Sequence, residues 1–406
     1  MTIIRRSIYI LLMALFAVSA CNRPPKNVEQ KAVQSVLDSL KSVYAPDTRI
    51  AFWDLEIISS ADSVRIRGTL DNEVAYNAIV ETIHSKFPEV DIQLKLLPEE
   101  NTGQIVNGLI NNSVANLRSN PRHSAEIATQ ALLGSPIRIL KKEGEWYLVQ
   151  TPNKYIAWID DDGIVEVNAD ELKTYKNQKK VVFNKLSGFS YSEANINSQT
   201  VSDLALGCIL PVISSKRKFY QVQYPDGRKA WIKKNEVFDF TELIKREFDE
   251  KELVRASKSF LGFPYLWGGT SAKAVDCSGF TSTIYYMNGI VLQRDASQQT
   301  KYGIEITTDY NWEKLQAGDL LFFGRKASDS LPERVTHVAI YIGDTEFIHA
   351  SGKVRINSID SSRENFIPEY IPRFVRAVRI KGAIDGIGIE RLSGNDFYKE
   401  IIDITK

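Results

Sequence analysis

The sequence predicts a multidomain α+β protein with a small α/β module, two small β-barrels and a C-terminal α+β domain. Three observations support this. Residues 27–98 alternate between helical and strand-like periodicity, residues 104–168 and 178–240 consist of short alternating strands, and in residues 241–380 one cysteine precedes two histidines. A chain of 406 residues is long enough to bury several separate cores.

Residues 1–20 have the pattern of a secretory signal. Two arginines precede an apolar run at residues 8–18, which is too short for a membrane span but typical of a signal peptide. The following Val-Ser-Ala-Cys21 resembles a bacterial lipobox. We therefore expect an exported protein that is acylated on Cys21 and anchored to a bacterial membrane, facing the periplasm. The alternative is an ordinary signal peptide with a chance cysteine.

Charge and cysteine content exclude several classes of protein. The 51 basic and 50 acidic residues nearly cancel, so no nucleic-acid partner is expected. Processing would leave only Cys208 and Cys277, too few for a disulfide scaffold. Cys208 lies among apolar residues and is expected to be a buried structural thiol. A disulfide between the two would silence Cys277. The oligomeric state stays open.

The N-terminal module, residues 27–98, has the order helix, strand, strand, helix, strand. Apolar residues recur at helical spacing from Val28 to Leu40 and from Ala75 to Phe87. The segments between and after them alternate as strands do. The order and size resemble the small periplasmic BON-type modules. No chemistry is assigned to this region.

The two predicted barrels form an internal repeat. Matching strand endings, Ala157-Trp158-Ile159 and Ala230-Trp231-Ile232, occur in both. Both copies resemble bacterial Src-homology-3-type (SH3-like) barrels, which accompany cell-wall enzymes. One amphipathic helix is expected over residues 241–261, and residues 381–406 are expected to be a tail without an assigned function.

A candidate nucleophile, Cys277, begins a helix directly after a Gly-rich turn. A helix N-terminus stabilises an anion by about 0.3–1 kcal/mol, less than one pKa unit at about 1.36 kcal/mol per unit. A nearby cationic imidazole is therefore required to form a thiolate. His337 and His349 are predicted on neighbouring strands of a hairpin, where one can orient the other. The result would be a Cys–His–His triad.

Five short motifs occur in the order and spacing of a known bacterial family, the NlpC-type papain-like cysteine peptidases, which residues 245–380 resemble. The resemblance implies Cys277 as nucleophile, His337 as general base and His349 as the residue that orients it. It also implies cleavage of peptidoglycan stem peptides between γ-D-glutamate and a diamino acid. The motifs are Tyr265–Gly269, Asp276–Phe280, Gly318–Leu320, His337–Tyr341 and Phe347–Ala350.

No cofactor is expected. Cys277, His337 and His349 could supply three zinc ligands, but the helix-cap position of the cysteine and the resemblance argue against a metal. An oxyanion would be bound by backbone N–H groups at the start of the Cys277 helix.

The pair of barrels before this domain resembles a narrower group, the γ-D-glutamyl-L-diamino acid endopeptidases of the dipeptidyl-peptidase VI type. The resemblance implies that the first barrel closes one end of the cleft, and that sugar-free peptides with a free N-terminal L-alanine are preferred. The substrate-binding residues it implies are Asp276, Ser278, Asp295, Tyr155, Glu126 and Trp267.

Asp295 is the carboxylate expected to bind the free amine, since a desolvated ammonium needs one. Asp276 and Ser278 are expected to contact the γ-D-glutamyl portion. Two alternatives stay open: Arg294 could neutralise Asp295, and Glu126 could be a solvated loop carboxylate.

Two rival functions follow from the same residues. One is a hydrolase of intact murein, with the barrels as wall-targeting modules. The other is a non-catalytic wall-binding lipoprotein, which would be expected to lack a triad residue, whereas Cys277, His337 and His349 are all present. Acyl transfer on lipids by a related fold would involve a rearranged motif order.

Overall fold

The computed structural model describes residues 26–60, 63–98 and 106–399. The chain forms two compact units, residues 1–97 and residues 98–406. Cys21 and the predicted signal segment lie outside the described residues. No helix in the described part of the chain is long and apolar enough to cross a membrane. The multidomain α+β prediction is confirmed, and each unit is described below by itself.

The first unit has the predicted order of elements. Its three-stranded sheet has the order β1-β2-β3, with β1 antiparallel and β3 parallel to β2. The Asn72 side chain caps the second helix by accepting a hydrogen bond from the Ala75 N–H. Ile66 and Ile79 are fully buried between sheet and helix. The elements are α1 (Lys26–Tyr44), β1 (Trp53–Ser59), β2 (Val64–Leu70), α2 (Glu73–Lys86) and β3 (Asp91–Leu96).

The second unit begins with a seven-stranded barrel, called barrel 1 below. Its strand order is β10-β4-β7-β8-β9-β5-β6, and its inward-facing apolar residues form a separate core. A capping box between Asn168 and Glu171 begins the helix that follows it. The elements are β4 (Asn107–Ile110), β5 (Val114–Arg118), β6 (Ile127–Leu132), β7 (Pro136–Glu143), β8 (Trp146–Gln150), β9 (Ile156–Asp160), β10 (Ile164–Val167) and α3 (Ala169–Asn177).

Barrel 2 repeats this topology strand for strand, with the order β17-β11-β14-β15-β16-β12-β13. Trp158 in β9 and Trp231 in β16 hold matching positions. Cys208 is buried and free, and its thiol donates a hydrogen bond to the Ser113 carbonyl at 3.3 Å. The strands are β11 (Lys180–Phe183), β12 (Ser187–Tyr191), β13 (Thr200–Ala205), β14 (Ile209–Lys216), β15 (Phe219–Gln223), β16 (Lys229–Lys233) and β17 (Val237–Asp239).

The C-terminal domain packs a helix against a six-stranded antiparallel sheet of order β21-β26-β22-β23-β24-β25. Phe280 of the helix and Val338 of the sheet are fully buried in the shared core. The elements are α4 (Phe240–Ile244), α5 (Glu250–Lys258), β18 (Thr270–Ser271), β19 (Ala274–Val275), α6 (Cys277–Tyr286), β20 (Ile290–Leu292), α7 (Ala296–Gln299), β21 (Ile304–Thr307), β22 (Leu320–Arg325), β23 (Arg334–Gly343), β24 (Glu346–Ser351), β25 (Lys353–Ser358), β26 (Phe374–Arg379) and β27 (Ile389–Arg391).

Two sequence-based expectations for this domain are wrong. The single helix expected over residues 241–261 is two helices, because the Asp249 side chain accepts the N–H groups of Lys251 and Glu252 and so begins α5 separately. The segment expected to be a tail is part of the fold as far as residue 399. Its strand β27 pairs with β20, and Asn395 donates to the carbonyl of Pro152 at 2.9 Å.

Candidate active site

The Cys277 thiol lies where α6 begins, against strand β23. Cys277 is the first residue of the helix, and the side chain of Asp276 caps it by accepting the Gly279 N–H at 2.7 Å. Val338, the neighbour of His337, packs in the same buried core as Cys277. The residue is only 8% exposed. Helix and sheet together therefore hold the thiol beside the first histidine of the predicted triad.

The two histidines and Asn357 form a chain of hydrogen bonds, and the orientation of the Asn357 amide fixes which atom donates in each bond. His337 Nε2 lies 2.8 Å from His349 Nδ1, and His349 Nε2 lies 2.9 Å from Asn357 Oδ1. The Asn357 amide nitrogen donates to the Asn365 carbonyl at 3.0 Å, so its oxygen faces His349.

An amide oxygen only accepts, so His349 must donate through Nε2 and, when neutral, accept through Nδ1. His337 must then donate through Nε2. This leaves the unprotonated Nδ1 of His337 as the basic nitrogen of the pair, which is the tautomer that a general base for Cys277 requires.

Burial favours the neutral forms of all three groups. Burial lowers the pKa of His337 well below its usual 6.5, and the charges of His349, Arg373 and Arg355 lower it further. Burial also lowers the pKa of His349 to about 4. It raises the pKa of the Cys277 thiol to about 11, with the Asp276 charge as the second cause. The thiolate–imidazolium pair expected from the sequence is therefore disfavoured at rest. Neutral groups suit a mechanism in which the proton passes from the Cys277 sulfur to His337 while the sulfur attacks the substrate carbonyl.

Two further residues support the histidines and were missed in the sequence. The Tyr370 ring stands edge-on to His349, with ring centroids 5.1 Å apart, and 5.3 Å from the His337 ring. It comes from a short turn before β26, so no local pattern reveals it. Asn357 had one weak signal. It lies two residues after Arg355 in β25, so the two side chains are on the same face of the strand, and Arg355 is the register partner of His349.

The Asp276 carboxylate is engaged inside the protein, and its contact with the γ-D-glutamyl portion stays a prediction. It accepts the N–H groups of Gly268 and Gly279 and forms a two-pronged ion pair with Arg294, at 2.6 and 3.2 Å. Asp276 and Arg294 are both almost fully buried. Its oxygens are thus engaged in holding the nucleophile helix. The Ser278 hydroxyl belongs to the same network, and its contact with substrate stays a prediction.

Arg294 lies within ion-pair distance of both Asp276 and Asp295, and it is closer to Asp276. Arg294 Nη2 is 2.6 Å from Asp276 Oδ2, whereas its Nη1 is 3.8 Å from Asp295 Oδ1. The Asp295 side chain keeps 28% of its surface exposed. Arg294 therefore neutralises Asp276 first, and Asp295 presents a carboxylate at the surface of the domain.

Barrel 1 contacts the catalytic domain at this end of the site. The Glu126 carboxylate, in the β5–β6 loop, accepts a hydrogen bond from the indole N–H of Trp267. Strand β6 lies so close that a Cβ on Gly268 would come within 2.2 Å of the Ile127 carbonyl oxygen, and Gly268 also has a φ of +82°. Glu126 is exposed and also contacts Trp267, so its substrate-binding role stays a prediction.

Three more bonds join barrel 1 to the domain. The Thr270 N–H donates to Gln130 Oε1 at 3.0 Å, and Arg294 Nε donates to Thr129 Oγ1 at 3.0 Å. The Tyr155 hydroxyl donates to Asp295 Oδ2 at 3.3 Å. Barrel 1 therefore borders both the candidate amine-binding carboxylate and the arginine behind the nucleophile.

The structure gathers the predicted residues into two groups. The first group consists of the bonded pair His337 and His349 with Cys277, which packs in one core with Val338, the neighbour of His337. The second group lies along barrel 1. In the residues that the structure describes, no cluster of three or more His, Cys, Asp or Glu side chains is placed to hold a metal ion. The second group consists of Asp295, Tyr155, Glu126 and Trp267.

A thiol at a helix N-terminus, faced by hydrogen-bonded histidines on an antiparallel sheet, defines a papain-like cysteine peptidase. Residues 262–375 match the NlpC/P60 family, residues 113–164 match the bacterial SH3 domain, and residues 172–238 match the GW (Gly-Tryp) dipeptide domain. The chain belongs to the NlpC/P60 family.

Its relatives include two curated peptidases. It is 32% identical to the gamma-D-glutamyl-L-lysine dipeptidyl-peptidase of Bacillus cereus over 255 residues, 60% of this chain and 74% of the relative. It is 28% identical to dipeptidyl-peptidase 6 of Lysinibacillus sphaericus over 268 residues, 63% of this chain and 92% of the relative.

A solved structure has a similar fold. The crystal structure of an NlpC/P60 family protein from Bacillus cereus superimposes with a TM-score of 0.58 at 27% identity. The match covers 67% of this chain and 99% of that one.

Proposed function

We propose that this protein hydrolyses the γ-D-glutamyl–diamino acid bond of sugar-free peptidoglycan stem peptides that begin with a free L-alanine. The name of the Bacillus cereus relative, gamma-D-glutamyl-L-lysine dipeptidyl-peptidase, supports the bond. The observation that carries the free-amine preference is the hydrogen bond from Tyr155 to Asp295. Through this bond barrel 1 contacts the Asp295 carboxylate, which is the group proposed to bind the free amine.

The proposed chemistry uses the residues as they are placed. Cys277 sulfur attacks the γ-carbonyl carbon while its proton passes to His337 Nδ1. His337 then gives that proton to the leaving nitrogen, and the C–N bond breaks. Water, deprotonated by His337, hydrolyses the thioester and restores the thiol.

The free amine matters because an ammonium loses its hydration on binding. Asp295, with Glu126 nearby in barrel 1, can offset that loss by charge-assisted hydrogen bonds. An N-acylated alanine has no such charge, and a sugar attached there would meet barrel 1. The peptide must then be released from its glycan strand before this protein acts on it.

The test compares one tripeptide, L-Ala-γ-D-Glu-diamino acid, with its N-acetylated form. We expect the free peptide to be cleaved after D-glutamate, with kcat/KM higher by about 100-fold, the effect of two charge-assisted hydrogen bonds. Cys277→Ala should abolish cleavage, and Asp295→Asn should reduce the preference for the free amine.

Equal rates on both peptides would contradict the free-amine preference. Rapid release of peptides from intact sacculi would instead support the murein-hydrolase alternative. The absence of cleavage of every stem peptide by a folded protein would contradict the proposed reaction itself.

We also propose that the protein is anchored by acyl chains on Cys21 in a bacterial membrane, on its periplasmic side. The support is the lipobox-like sequence before that cysteine. Radiolabelled palmitate should be incorporated into the wild type but not into Cys21→Ser. Release of both forms into the soluble fraction would contradict the anchor.

A further inference from the structure

Arg355 lies beside the catalytic histidines, and no carboxylate among the described residues pairs with it. It is the register partner of His349 in β25, and its Nη2 reaches only the Ser351 hydroxyl, at 3.3 Å. Its Nε is buried and makes no hydrogen bond to the described residues. A partly buried guanidinium without a countercharge is costly, which makes an absent anion the natural complement.

Arg373 is a second arginine near the histidines, and it is exposed where Arg355 is partly buried. It lies over the Tyr370 ring, 5.4 Å from the centroid, and its Nη2 donates to Thr336 Oγ1, next to His337, at 3.3 Å. Two arginines of strand β26, which begins directly after Arg373, are paired with carboxylates: Arg376 and Arg379. Within the described part of the chain, Arg355 and Arg373 form no ion pair.

These two charges oppose the step that His337 must perform. Both lower the pKa of the His337 imidazole, although burial is the larger cause. They therefore disfavour the imidazolium that forms when Cys277 gives up its proton. An anionic group of the substrate placed between them would remove this penalty when substrate binds.

We propose that Arg355 and Arg373 bind the carboxylates of the leaving diamino acid and select a residue with a carboxylate on its side chain, of the diaminopimelate type, over lysine. This inference rests on the proposed function. His337 must protonate the leaving nitrogen, so the leaving residue lies on the histidine side of the site, where both guanidinium groups are found.

The charges of the whole site fit such a substrate. Asp295 and Glu126 supply negative charge where the free ammonium would bind, and Arg355 and Arg373 supply positive charge near the histidines. A peptide with a free ammonium at its N-terminus and two carboxylates on its third residue matches these charges. Lysine has the same terminal ammonium as diaminopimelate but lacks the carboxylate beside it, so it would leave one arginine without an anion.

The test uses three peptides that share L-Ala-γ-D-Glu and differ in the third residue: diaminopimelate, diaminopimelate with an amidated side-chain carboxylate, and lysine. For the wild type we expect kcat/KM for diaminopimelate to exceed that for each of the others by about ten-fold or more, as for a charge-assisted hydrogen bond. Arg355→Gln should reduce the ratio to about two-fold or less, and Arg373→Gln should reduce it partly.

The ratio between peptides is the readout, because misfolding would slow all three alike. Arg355→Lys keeps the charge and should retain part of the preference. Arg363→Gln, an exposed arginine removed from the histidines, is the charge-matched control and should leave the ratio unchanged. Equal wild-type rates on the three peptides, or a ratio that Arg355→Gln and Arg373→Gln leave unchanged, would overturn the inference while leaving the proposed reaction intact.

Discussion

Barrel 1 and barrel 2 have the same strand order and the same loop closure but different neighbours. The Ser119 N–H donates to the Glu126 carbonyl at 3.0 Å in barrel 1, and the Ser192 N–H donates to the Gln199 carbonyl at 2.8 Å in barrel 2. The two loops therefore begin and end alike. At the last position of this loop barrel 1 has Glu126, whose carboxylate contacts the catalytic domain, whereas barrel 2 has Gln199.

A second matched position shows the same divergence. Tyr155 precedes β9 in barrel 1 and donates to Asp295, whereas its counterpart in barrel 2 is Arg228, which pairs locally with Asp226 at 2.6 Å. The backbone of the repeat thus specifies a stable barrel, and a few side chains at its edge decide whether that barrel takes part in a site.

The largest expected effect comes from Arg294, the buried arginine that barrel 1 covers. Arg294→Met would leave the buried Asp276 carboxylate without its partner, which costs about 3–5 kcal/mol in comparable pairs. We expect a loss of that size in the free energy of urea unfolding, together with loss of peptidase activity, because Asp276 caps the Cys277 helix.

The matched control is an exposed ion pair in barrel 2, removed by Arg228→Met. Arg228 is 44% exposed in its side chain and pairs with a neighbour in its own turn, so the expected cost is below about 1 kcal/mol. Equal destabilisation by both variants would mean that the burial of the Arg294–Asp276 pair does not set its contribution to stability.

The next largest effect is expected on the cleavage of substrate rather than on the stability of the protein. Glu126→Gln keeps an oxygen that can accept from Trp267 but removes the charge, so kcat/KM for the free-amine tripeptide should fall about ten-fold. The rate on the N-acetylated peptide should not change. Gln199→Ala, at the matched position of barrel 2, should alter neither rate. A similar loss with both peptides would assign Glu126 a purely structural role.

Much of this architecture could be predicted because its signals are local. Strand alternation and the repeated Ala-Trp-Ile endings indicate the barrels, and a cysteine after a Gly-rich turn indicates a helix that begins at Cys277. His337 and His349 could be placed on adjacent strands because a tight turn joins them.

The remainder depends on distant parts of the chain. Asp276 and Arg294 are paired only by the tertiary fold. Tyr370 and Asn357 reach the histidines from later segments. The resting protonation of Cys277 and His337 follows from burial, which the sequence does not give quantitatively.

The smallest expected effect tests the contact that carries the proposed function. Tyr155→Phe removes one hydroxyl from Asp295, so kcat/KM for the free-amine peptide should fall about two- to ten-fold, mainly through KM. If Tyr155 acts by orienting Asp295, the effects of Tyr155→Phe and Asp295→Asn should not add, because the second change removes the charge that the first one positions. Additive effects would show that the two residues contribute independently, and barrel 1 would then border the site without helping to shape it.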